Sequence, residues 1–395
     1  MKVTITPTKL GGRVDAIASK SFAHRIMIAA ALADKPTKIF LNTTSEDIEA
    51  TKNCLLSMGA KIDAGEGFIK ITPITYAQDV ILDCNESGST ARFLLPVAAS
   101  VCEGFKMHGR GRLPKRPMTP LISQMRLNGV KISADNIPLE VTGKMSGGKF
   151  EIPGDISSQY ITGLLFALPN CSTKSEIVLK SPLESSAYVD ITIDVLKKFG
   201  VKIIRTDNSF IIKPQKFISP DEITVEGDWS NSAFWIVANE ICGNIFVDGL
   251  NLNSLQGDMN ILKAKDLTQI DASQIPDLVP ILAVLACAKK GRTVIYNAER
   301  LRIKESDRLE TVRKSLSSLG ALIEETADGL IINGTGSLKG GECESFNDHR
   351  IAMSCAIASC ICENEVIIKD AQAVNKSYPK FFEDFIKLGG KIIIE

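Results

Sequence analysis

One phrase recurs along this chain: "LLSMGAKI" ending at Ile62, "MRLNGVKI" at Ile132, "LKKFGVKI" at Ile203, "LSSLGALI" at Ile323 and "FIKLGGKI" at Ile392. Each reads as the last turn of a helix, a glycine free to take positive φ as the cap, and the start of a strand. The glycines are Gly59, Gly129, Gly200, Gly320 and Gly389, separated by 70, 71, 120 and 69 residues. The long gap leaves room for one degenerate copy, expected near "ILKAKDLTQI" at Ile261 to Ile270. Six units of about 66 residues then fill the 395-residue chain.

Between the phrases, short apolar strands alternate with amphipathic helices such as Ser45 to Leu56 and Tyr188 to Phe199. The class is therefore α/β, or α+β. So long a period with mixed elements points to two pseudo-threefold globular domains rather than a solenoid. The stretch "ITVEGDWSNSAFWIVA" divides three units from three, and the Gly pair closing "MKVTITPTKLGG" supplies a second crossing. The expected domains are 13–226, and 1–12 joined with 227–395. Two crossings make a hinge that can close on a ligand.

Charge narrows the function. Lys plus Arg and Asp plus Glu balance at 46 each, so no global field for nucleic acid or an anionic membrane surface is expected. Ten cysteines without a CxxC pair read as reduced core residues, with no metal site and no disulfides. The opening "MKVTITP" alternates like a strand rather than a secretory leader, and no apolar run approaches the ~18 residues of a membrane span. The expectation is a cytoplasmic protein, and a monomer, because no apolar helix is left unassigned.

Any basic site must then be local, and "RIKESDRLE" at Arg302 to Glu310 is the densest candidate. On a helix, Lys304 and Arg308 stand at i and i+4, a like-charge pairing that costs a few tenths of a kcal/mol unless an anion lies between them. The bland alternative is a solvated helix with Glu305 pairing to Arg308. Other polar clusters precede helices, where free N–H groups and the dipole favour anions. "ASKSFAHR" offers Ser19 as N-cap with Lys20, Ser21 and Arg25; "NESGSTARFLLP" sets Gly88 in a turn with Arg92 following; "LPKRPMTPL" stiffens the chain around Arg116. "GDISSQYITG" carries Ser157, Ser158 and Gln159, and "SQIPDLVPIL" places Asp277 at the mouth of an apolar helix. "FNDHRIAM" joins Asp348, His349 and Arg350, and "VNKSYPKFF" sets Lys376 before a helix start. Each alone reads as capping; together they bring more cations to element starts than surface chemistry requires.

These motifs, with "SSAYVDIT" and "VEGDWSNSAFW", run in one order from Lys20 to Lys376 and resemble the 5-enolpyruvylshikimate-3-phosphate synthases of the enolpyruvyltransferase family. The resemblance implies a two-domain, inside-out α/β barrel fold of six βαβαββ-type units, three per domain, with the active site in the interdomain cleft. It implies transfer of the enolpyruvyl group of phosphoenolpyruvate to the 5-hydroxyl of shikimate 3-phosphate, through a tetrahedral intermediate that expels phosphate, with no cofactor or metal. Shikimate 3-phosphate is then expected at Lys20, Ser21, Arg25, Ser157, Ser158, Gln159, Ser185, Tyr188, Asp277 and Lys304. Phosphoenolpyruvate is expected at Lys20, Gly88, Arg116, Gln159, Arg308, His349, Arg350 and Lys376. Lys20 serves both substrates and catalysis, Asp277 is the expected base, Glu305 the expected acid, and Asp307 a structural partner of the cations.

Two positions depart from the usual pattern: Glu86 in the turn before Gly88, expected to pair with Arg92 or Arg116, and Arg300 four before Lys304. The sister family acting on UDP-N-acetylglucosamine shares the chemistry but uses a loop cysteine before an Arg-Pro pair. Here that stretch reads "GRGRLPK", without cysteine. A non-catalytic binding protein on the same fold would be expected to lack Lys20, Asp277, Glu305 and Lys376; all four are present.

Overall fold

The computed structural model describes residues 1–75 and 77–395. The chain divides into two compact units, one of Ala18–Glu226, the other of Met1–Ile17 with Gly227–Glu395. The expected boundary after Gly12 falls ahead of this division.

Within Ala18–Glu226, three four-stranded sheets repeat one plan. In the middle one, strands Ile81–Asp83 and Gly104–His108 run parallel, joined through helix Gly88–Val101. Helix Thr119–Leu127 then leads to edge strand Lys131–Ile132, and strand Leu139–Thr142 returns antiparallel between the edge and Gly104–His108. The recurring glycine makes the corner from second helix to edge strand: Gly59, Gly129, Gly200, Gly320 and Gly389 all have φ between 76 and 100°, the left-handed region that a side chain disfavours.

Strands show alternating burial, as in Leu139–Thr142, so each sheet turns one face to solvent. Helices Lys20–Ala31, Gly88–Val101 and Ser158–Ala167 are instead buried almost all round. Apolar helices thus form the centre and sheets the wall, which is the inside-out barrel. Helices Gly88–Val101 and Ser158–Ala167 come close at Gly163, where a Cβ would stand 2.3 Å from the Arg92 carbonyl oxygen. That carbonyl has no helical N–H to accept, because the residue four positions on is Pro96.

The second unit holds two sheets of the same plan and one reduced sheet. The N-terminal strand Val3–Thr6 lies antiparallel between Val366–Lys369 and Lys391–Ile394, completing the last sheet. The reduced sheet pairs only Gly12–Asp15 with Ile245–Asp248, parallel, across helix Trp229–Cys242. This is the degenerate sixth copy, and it lacks the hairpin. The expected copy at Ile261 to Ile270 is corrected accordingly: Ile261–Ala264 is a four-residue helix, and Gln269–Asp271 is the first strand of the next sheet.

Candidate active site

In the unit Ala18–Glu226, helix starts carry the polar residues. Ser19 is the N-cap of Lys20–Ala31 by backbone position, without a side-chain cap bond. Lys20 Nζ meets Asp47 Oδ2 at 2.7 Å. Arg25 is only 2% exposed and spends its guanidinium on neutral acceptors: Thr192 Oγ1 at 2.8 Å, Ser21 O at 2.7 Å and Tyr188 O at 3.0 Å. It also stacks over Phe93, 4.9 Å from the ring centre. No carboxylate pairs with it among the described residues, and burial lowers its pKa below the ordinary arginine value. A buried cation without a counter-ion is costly unless an anion supplies the charge.

Ser157 caps Ser158–Ala167 through Gln159 N at 3.3 Å. Gln159 is held from both ends, accepting from Arg92 Nη1 at 2.8 Å and donating to Ser89 Oγ at 2.9 Å. Ser185 sits at φ 52° as it opens Ser186–Lys198, a strained conformation for a serine, and its carbonyl accepts from Tyr188 N. Gly88 is the first residue of its helix, with the Arg116 guanidinium directly over it. Glu86 turns toward Gly111, where a Cβ would meet its carboxyl carbon at 2.5 Å.

In the other unit, one carboxylate is the hub. Asp277 takes Arg308 Nη1 at 2.8 Å on Oδ1, with Lys304 Nζ at 3.6 Å, and Arg350 Nη2 at 3.2 Å on Oδ2. Burial works to raise its pKa, but Arg350, Lys304 and Arg308 outweigh that and hold it well below the usual carboxylate range. Arg308 is itself divided among three acids, reaching Glu305 Oε2 at 2.6 Å and Asp348 Oδ2 at 2.8 Å besides Asp277. Asp348 is fully buried, caps His349–Ala358 through Arg350 N at 2.9 Å, and accepts from Ser306 Oγ at 3.0 Å. Burial pushes Lys304 down to about 8, with Asp277 opposing. His349 Nδ1 lies 3.9 Å from Asp348, and Lys376 Nζ donates to Asn347 O at 2.7 Å.

Three local expectations are corrected here. Lys304 and Arg308 share no helical face: Glu299–Ile303 is a 3₁₀ turn, Lys304 is extended, and the helix starts only at Arg308, because Asp307 caps it through Glu310 N. The anion that reconciles them is the protein's own Asp277. Asp277 is not a helix cap either, since it lies within the 3₁₀ turn Pro276–Leu278 and its carboxylate is engaged by cations. Lys376 ends a 3₁₀ turn, and the next helix begins at Phe381. The Glu305–Arg308 pair and the Arg302–Asp307 pair at 3.0 Å both form.

Sequence reasoning missed Asp47, Ser230 and Asp258 as members of these clusters, and named Arg92 without giving it a substrate. Ser230 accepts from Arg350 Nη2 at 2.7 Å. Asp258 is buried beside it, its pKa raised to about 6 by burial and by Asp277, with Arg350 opposing. Arg92 had a signal, a cation one turn into an apolar helix; Asp258, in the short 3₁₀ turn Gly257–Asn260, had none.

Among the described residues no group of three His, Cys, Asp or Glu side chains is placed to hold a metal, and no helix is long and apolar enough to cross a membrane.

The sequence profile of EPSP synthase (3-phosphoshikimate 1-carboxyvinyltransferase) matches residues 5–266 and 263–385. The 3-phosphoshikimate 1-carboxyvinyltransferase of Clostridium novyi is 42% identical, covering 99% of this chain and 98% of its own length. The protein of that name from Clostridium perfringens strain 13 is 43% identical, with 98% of each covered. The crystal structure of EPSP synthase from Acinetobacter baumannii superposes over the full length of both chains with a TM-score of 0.83 at 25% identity. Profile, relatives and fold agree with the clustered cations, and the chain belongs to the EPSP synthase family.

Proposed function

We propose that the two clusters serve one reaction, in which the enolpyruvyl group of phosphoenolpyruvate passes to the 5-hydroxyl of shikimate 3-phosphate. The family's transfer of enolpyruvyl to shikimate 3-phosphate belongs to aromatic amino acid biosynthesis. The observation that carries the assignment of roles is Asp277 held by Lys304, Arg308 and Arg350. A carboxylate contacted by three of the cations assigned to the substrates is a base placed where those substrates would bind.

In this reading shikimate 3-phosphate binds Arg25, Ser21, Ser157, Ser158, Gln159, Ser185 and Tyr188. Phosphoenolpyruvate engages Arg116 over Gly88, with Gln159, Arg308, His349, Arg350 and Lys376, and Lys20 reaches both. Asp277 removes the proton of the 5-hydroxyl. The cations that keep it ionised also weaken it as a base, so its proton affinity rises as substrate phosphate and carboxylate draw Lys304, Arg308 and Arg350 away. Glu305 delivers a proton to the methylene carbon, with Arg308 orienting it. The tetrahedral intermediate then expels phosphate, whose charge the guanidinium forks stabilise. Hinge closure about the two chain crossings excludes water, and a single cytoplasmic chain is the working unit.

The test is phosphate release from phosphoenolpyruvate with either shikimate 3-phosphate or UDP-N-acetylglucosamine. Release with shikimate 3-phosphate alone is expected, and release with the nucleotide sugar alone sinks the reading. Asp277→Asn and Glu305→Gln are each expected to lower kcat by ~100-fold or more; full turnover in either removes that residue's role.

A further inference from the structure

His24, one helical turn after Lys20, has no part in the roles assigned above, yet it heads a buried chain of polar side chains. His24 Nδ1 lies 2.7 Å from Thr51 Oγ1, Thr51 Oγ1 lies 2.7 Å from Thr90 Oγ1, and Thr90 Oγ1 donates to Ser87 Oγ at 2.8 Å. All four residues are at most 1% exposed. Ser87 is the N-cap of helix Gly88–Val101 and accepts from Thr90 N at 3.2 Å.

The bonds run in one direction. A hydroxyl carries a single hydrogen, and that of Thr90 goes to Ser87, so Thr90 accepts from Thr51 and Thr51 in turn accepts from His24. His24 is thereby the Nδ1–H tautomer, and its Nε2, buried without a hydrogen-bond partner among the described residues, carries no hydrogen. Burial, with Lys20 and Arg25 nearby, lowers the His24 pKa well below the ordinary histidine value, which keeps the ring neutral. The chain links three helices, Lys20–Ala31, Glu46–Ser57 and Gly88–Val101. A second tie runs beside it at the helix starts, where Asp47 Oδ2 takes Lys20 Nζ and Asp47 O lies 3.4 Å from Thr90 Oγ1.

On the reading that phosphoenolpyruvate lies at Lys20 and Gly88, we infer that His24 is a positioning residue, acting through Thr51, Thr90 and Ser87 to hold the start of helix Gly88–Val101 in register with Lys20. The Ser87 oxygen is pinned by two donors of Thr90, which fixes the cap in one rotamer. The N–H groups of Gly88 and Ser89, in the first turn, have no intrahelical acceptor, and the Arg116 guanidinium lies directly over Gly88. The cap therefore sets where those donors point. An apolar residue at position 24 leaves Thr51 a buried acceptor short of its donor, and the hydroxyls beyond it lose their fixed order.

Steady-state phosphate release by the full-length chain, with each substrate varied in turn, tests this role. His24→Leu and Thr90→Val are each expected to raise the KM for phosphoenolpyruvate roughly 5- to 10-fold, with the KM for shikimate 3-phosphate within about twofold of the unaltered chain. The double variant should match either single one, because both cut the same chain of bonds. His24→Asn, whose amide N–H can replace Nδ1–H, should restore the original KM, which simple filling of the core would not require. Thr51→Val cuts the chain at its middle and takes the place of His24→Leu should that variant not fold. An unchanged KM in the Leu and Val variants, equal rises for both substrates, additive effects in the double variant, or an Asn variant no better than Leu overturns the role. Absence of phosphate release by the unaltered chain with shikimate 3-phosphate sinks the reading of function, and the positioning role with it.

Discussion

Gly88 lies beneath the Arg116 guanidinium so closely that a Cβ built on it would stand 2.4 Å from Nη1 and 2.7 Å from Cζ. Arg116 is 5% exposed, so the fork has little room to retreat. Gly88→Ala is expected to displace it and weaken charge-assisted contacts worth about 1.5–3 kcal/mol. The measured result should be a KM for phosphoenolpyruvate raised roughly 10- to 100-fold, with the KM for shikimate 3-phosphate little changed. Equal rises in both would show a general collapse of the helix start instead.

Arg25 separates binding from stability. Its partners are neutral, so replacing it with Met removes a buried charge without stranding a carboxylate. The melting temperature of Arg25→Met should hold or rise, while affinity for shikimate 3-phosphate falls by about 100-fold. A steep loss of thermal stability with binding intact would count against the anion role.

Asp348 predicts the reverse. It is buried, caps a helix, and anchors Arg308 and Ser306 at once. Asp348→Ala leaves Arg308 short of one buried partner and should cost about 3–5 kcal/mol in urea unfolding. A cost below ~1 kcal/mol would show that Asp277 and Glu305 suffice to hold Arg308.

Lys304 sets an alkaline limit. Burial lowers its pKa to about 8, so the ammonium is charged below that pH and neutral above it. Turnover should fall as pH rises through about 8, and Lys304→Arg, which stays charged, should extend the plateau upward. An alkaline limb unmoved by the arginine assigns the titration to another group.

How far the sequence spoke depended on the range of the interaction. The helix-glycine-strand phrase is local, because each glycine serves its own corner, and it exposed five of the six units. The sixth stayed hidden because its hairpin is missing, leaving no corner to mark. Cations at element starts were legible, since capping residues and Gly punctuate them. Their partners were not: the Lys20–Asp47, Arg350–Ser230 and Arg92–Gln159 contacts join residues 27, 120 and 67 positions apart. The misplaced helix at Lys304 shows the limit locally too, where an Asp that could be one charge among six proved to be the cap.

The strand Val3–Thr6 pairs with two strands from the last 30 residues of the chain. During synthesis it is made before the unit Ala18–Glu226, yet its sheet cannot form until Lys391–Ile394 has been made. The unit Ala18–Glu226 has all its strands by then and is free to fold on the way. Val3–Thr6 is thus made before the unit it precedes and settles after it, and an interrupted message yields one finished unit with an orphan β-strand before it.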